Sequence, residues 1–94
     1  MAAEGETDLA LRKYDEAVAM DADNVSLRVK RAELRLNSVR HADALADLNT
    51  AIQLDPRSAK AYRLRATVKE RLDDLPGSEA DNLKATELEK GSPK

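Results

Sequence analysis

Cysteine, phenylalanine and tryptophan are absent from the 94 residues, and the aromatic content is Tyr14 and Tyr62 alone. Without cysteine there is no disulfide framework, no thiolate nucleophile and no sulfur-ligated zinc, so stability has to come from packing. Histidine occurs once, at His41, and a lone turn histidine without convergent partners reads as a solvated side chain. The adjacent carboxylates Asp73 with Asp74, and Asp15 with Glu16, are expected at exposed positions with no pocket to raise a pKa. Glycine and proline occur three times each, as punctuation; no Gly-rich phosphate loop or nucleophile elbow is spelled. Catalytic residues, cofactors and metals are therefore all expected to be none.

A large excess of either sign of charge is also missing. A net charge of -2 and a pI near 5.4 give no general attraction to nucleic acid or an anionic membrane. No apolar run approaches bilayer length, and the opening M-A-A-E-G-E-T-D has no hydrophobic signal region, so the expected location is cytoplasmic. A chain this short makes one small domain without room for an enzyme-sized cleft.

What the sequence does have is charge, at 36%, among Ala and Leu in helical periodicity. The stretch Ala44 to Ala66 reads as the end of one amphipathic helix, a corner at Asp55-Pro56, and a second helix capped by Ser58. Ala44, Leu48 and Ala51 form an apolar face, and Asp47, Asn49 and Gln53 fall on the polar one. This corner repeats. At a spacing of 34 residues, Ala10, Leu11, Tyr14, Ala17, Val18, Met20 and Asp21 fall on Ala44, Leu45, Leu48, Ala51, Ile52, Leu54 and Asp55. One step forward, Arg31, Ala32, Asp47 and Ala51 recur as Arg65, Ala66, Asp81 and Ala85, while Leu48 becomes Asn82. The pattern predicts an all-α fold of five helices near residues 7–22, 25–37, 42–54, 59–72 and 76–90, with Gly91 as terminator. Leu72 is expected inside, and Ser78, Asn82 and Thr86 on a polar outer face.

Period and pattern resemble the tetratricopeptide repeat, a helix-turn-helix of 34 residues. The small-large-small signature of that family is met by Ala10, Tyr14 and Ala17 and by Ala44, Leu48 and Ala51. Ala32 and Ala66 stand where the family has a small residue, and Tyr62 where it has an aromatic. Departures are Arg28 in that aromatic place, Arg35 and Lys69 where Tyr is common, and polar Ser78 and Asn82. The resemblance implies two and a half repeats stacked as a right-handed superhelix: a half repeat over 5–24, repeats over 25–58 and 59–92, and a disordered tail at 93–94. It further implies a protein-interaction scaffold or adaptor, binding an extended peptide or acidic protein surface on its concave face. The candidates there are Lys30, Glu33, Asn37, Lys60, Arg63, Thr67 and Arg71, within a basic array that also holds Arg31 and Arg65.

A co-chaperone subgroup of the family binds the terminal carboxylate of chaperones through a Lys, an Arg four residues later, and an Asn on the corresponding helix of the repeat before. Lys60 matches that lysine, but Leu64 takes the Arg place and Lys30 the Asn place. A chaperone C-terminal tail is thus one alternative partner. The other is a second copy of the chain, held through Leu11, Tyr14 and Val18 of the first helix in a homo-oligomer.

Overall fold

The computed structural model describes residues 2–91, with side chains described from residue 5 onward. Five helices follow one another: α1 (Ala2–Met20), α2 (Val25–Asn37), α3 (His41–Leu54), α4 (Ala59–Arg71) and α5 (Leu75–Lys90). There is no strand among the described residues. Each helix packs on the next, and α2 also touches α4, so the chain builds a short stack of 41 × 30 × 19 Å. The expected tail at 93–94 lies outside the described residues, while α1 starts at Ala2, ahead of the expected start near residue 7.

Local chemistry sets the helix ends. The Asn24 side chain accepts from the Leu27 amide at 3.1 Å, and Ser58 from the Ala61 amide at 3.2 Å, each satisfying one of the unpaired donors of a first turn. Asp74 does the same for α5 through the Gly77 amide at 3.0 Å, and Pro76 sits in the first turn, where a missing N–H costs nothing. Glycine is needed at 77. A Cβ there would collide with the capping carboxylate of Asp74 and the stem of Lys69.

The two turns inside helix pairs are built alike. After α2, Val39 takes φ 60° and the Arg40 amide donates to the Arg35 carbonyl at 2.8 Å; after α4, Asp73 takes φ 64° and the Asp74 amide donates to the Lys69 carbonyl at 2.8 Å. The period of 34 thus extends to backbone conformation and hydrogen bonding.

Val29, Ala32 and Leu36 of α2, Ala44, Leu48 and Ala51 of α3, and Ala61 and Val68 of α4 form the core, flanked by Val25, Leu45, Ile52 and Leu64. Small residues let the helices approach closely, and the large ones fill the seam between units. Two expectations are corrected. Leu72 is exposed, because α4 ends one residue before it, and Ser78 is buried, because it lies under α4 at the register of Ala44. His41 is half-buried in the first turn of α3, and its Nε2 is buried without a hydrogen-bond partner among the described residues, instead of being solvated.

Candidate functional site

The basic residues of α2 and α4 divide into two sets. Arg31 reaches across to α3, where its Nε and Nη2 donate to the two carboxylate oxygens of Asp47 at 2.9 and 2.6 Å, while Nη1 donates to Asp15 of α1 at 2.9 Å. One period later Arg65 repeats this on Asp81 of α5, at 2.8 Å for both bonds, with Nη1 donating to Asn49 of α3 at 3.0 Å. A second cation joins each carboxylate, Arg35 at 2.9 Å from Asp47 and Lys69 at 3.2 Å from Asp81. Arg35 and Lys69, which depart from the tyrosine common in the family pattern, therefore serve the same buried acids.

Asp47 and Asp81 are only 2% and 4% exposed, which corrects the placement of Asp47 on a polar face. A buried carboxylate is tolerated because a planar guanidinium forks onto both oxygens. Burial pushes the Asp81 carboxyl up, and the hydrogen bonds from Arg65 and Lys69 outweigh it, leaving the group below the usual carboxylate range. The Asp47 hydrogen bonds raise the Arg31 guanidinium, against the opposing effect of burial. Arg28, in the aromatic place, adds a third cation 3.6 Å from Asp47; at the equivalent site Tyr62 lies under Arg65, 5.3 Å from ring centre to guanidinium carbon. Arg31 and Arg65 thus join helices to each other and are not available for a ligand.

The other set faces outward. A groove of about 230 Å³ runs between the starts of α2 and α4, lined by Val25, Ser26, Val29, Lys30, Asp55, Ser58 and Lys60. Lys30 has no ion pair among the described residues, and Lys60 meets only Glu33, 3.7 Å away across the groove. Asn37 and Arg71 are exposed further along the same two helices. Thr67 is half-buried and donates its hydroxyl to the Arg63 carbonyl at 3.2 Å. Arg63 turns away from this surface. It donates to the Thr86 hydroxyl at 3.3 Å and to Glu89 through Nε at 3.1 Å, and its hydrogen bonding holds the Glu89 carboxyl below its ordinary range.

On α1, Leu11 and Val18 are 4% and 5% exposed and Tyr14 is half-buried, so the apolar surface expected there is spent within the fold. The large apolar side chains that α1 exposes among the described residues are Leu9 and Met20.

Paired antiparallel helices recurring with the same internal bonds define a helical-repeat protein. No family model matches the sequence. The chain is 38% identical over 84 residues to RNA polymerase II-associated protein 3 of Xenopus tropicalis, covering 82% of this chain and 13% of that protein. It therefore spans about an eighth of that relative's length. In structure it is similar to the second tetratricopeptide-repeat domain of Spaghetti bound to the HSP90 peptide SRMEEVD. That likeness has a TM-score of 0.85 at 29% identity and covers 90% of this chain and 79% of that one. MamA shares the fold at a TM-score of 0.87 and 23% identity, over 94% of this chain and 52% of that one. The chain belongs to the tetratricopeptide repeat family.

Proposed function

We propose that this domain is a non-catalytic, cytoplasmic module that holds an extended acidic peptide between α2 and α4, organised as a half repeat over 5–24 and repeats over 25–58 and 59–92. The observation that carries this reading is the groove itself: Val25 and Val29 offer an apolar wall, and Lys30 and Lys60 offer cations that no buried acid engages. The one ion pair at the groove, Lys60 with Glu33, is exposed and longer than a hydrogen bond, so an incoming carboxylate displaces it at small cost. Asn37, Thr67 and Arg71 extend the surface along the helices, while Arg63 belongs to the α4–α5 seam.

The likeness to a domain bound to SRMEEVD supports a chaperone-type tail as one form of this ligand. In this chain the second cation lies on α2, as Lys30, instead of on α4, where Leu64 stands. The test is fluorescence anisotropy with labelled SRMEEVD, free-acid and C-terminally amidated. Lys60→Glu and Lys30→Glu should each weaken the free-acid peptide at least about tenfold, since a charge pair at an interface contributes 1.5 kcal/mol or more. Binding unchanged in both variants would remove the groove as the site.

A further inference from the structure

With the groove as the ligand site, a reading on which this one rests, we infer that Glu33 makes it selective for peptides of mixed charge. The ligand carries a lysine or arginine two residues from the acid that Lys30 and Lys60 hold. A site built for an acid alone would surround its cations with neutral or basic groups. This one does not. Beside Lys30 and Lys60 it has Asp55 in its lining and Glu33 on its α2 side. Asp55 is engaged locally, accepting from the Arg57 amide at 3.1 Å. Glu33 is half-buried, and the one cation within ion-pair distance of it among the described residues is Lys60, at 3.7 Å.

The exposed pair gives way at small cost, but a ligand carboxylate that takes Lys60 also lies over Glu33 and removes water from it. A carboxylate covered without a cation is destabilised, so a purely acidic peptide meets repulsion and desolvation at Glu33. A peptide that brings its own cation there replaces the pair it displaced. The spacing follows from backbone geometry. Glu33 lies three residues after Lys30, which puts their β-carbons roughly 5–6 Å apart on one face of α2. An extended peptide advances about 6.6 Å over two residues, and residues two apart share a side. A base at that spacing therefore reaches Glu33 while the acid stays with the lysines.

The peptide SRMEEVD has this spacing in R-M-E and serves as one probe. SQMEEVD lacks the base, and RSMEEVD keeps the composition with no base two residues from an acid. Each is labelled at its N-terminus and titrated by fluorescence anisotropy. On the wild-type chain SRMEEVD should bind at least about threefold more tightly than either of the others, the scale of a partly exposed charge pair. Glu33→Gln should erase that advantage. It should also bind SQMEEVD more tightly than the wild-type chain does, because nothing competes for Lys60, whereas a damaged fold would weaken every peptide. An advantage that is absent on the wild-type chain, shared by RSMEEVD, or retained in Glu33→Gln overturns the inference. If Lys60→Glu then still weakens all three peptides, the groove stands without this selectivity. Peptides that fail to bind, or that Lys60→Glu leaves unweakened, remove the groove and the selectivity together.

Discussion

Asp47 and Asp81 lie under neighbouring helices, where a carboxylate persists only while cations stay with it. Arg65→Ala leaves Asp81 buried with Lys69 alone, and we expect a loss of about 3 kcal/mol, the scale for breaking a buried pair on one side. Urea unfolding measures it. The pH dependence follows from the lowered Asp81 pKa. The stabilisation is fully present above the unfolded value near 3.8 and is lost as pH falls through the lower, folded one. Wild-type Tm should therefore drop between pH 5 and pH 3 by more than that of Asp81→Asn, which has no carboxylate there to protonate. Equal drops in the two proteins would mean that the pair is energetically silent. These aspartates were the hardest residues to place from sequence, since a charge on an amphipathic helix reads as solvent-facing. The signal was present: Arg31 and Asp47 recur together as Arg65 and Asp81, whereas solvated charges have no reason to keep such a pairing.

At the scale of helices and turns, periodicity and capping chemistry placed the elements well. Asn24 and Ser58 cap as their types suggest, and the starts at Val25 and Ala59 follow from them. The turn conformations were not legible, because a valine gives no hint of a left-handed backbone. Val39 occupies that region with a β-branched, exposed side chain, where its counterpart is an aspartate that tolerates it better. Val39→Asn should stabilise the domain by about 1 kcal/mol, raising Tm by roughly 4–8 °C in a thermal melt. Asp73→Val should do the reverse.

For the whole molecule, burial decided what the basic array can do. From sequence its members looked equivalent, but helix packing withdraws Arg31, Arg65 and Arg63 and leaves Lys30 and Lys60 at a groove. Which cation is consumed depends on the carboxylate that the next helix places within reach, and that is a tertiary fact. Leu64→Arg adds a cation on α4 one turn beyond Lys60, at a half-buried position beside the core. We expect it to tighten SRMEEVD binding at least about fivefold, with the gain shrinking as salt is raised. A gain that ignores salt would point to packing.

The seam between α4 and α5 has a consequence for how copies of the molecule behave at high concentration. Where α3 offers Leu45, Leu48 and Ile52 to the following unit, α5 has Glu79, Asn82 and Thr86, with the Arg63–Glu89 bridge beside them. Open-ended polymers need an adhesive patch at both poles, and with polar side chains in those places beside the exposed Leu83, end-to-end stacking through α5 should be weaker than the stacking of α3 on its neighbour.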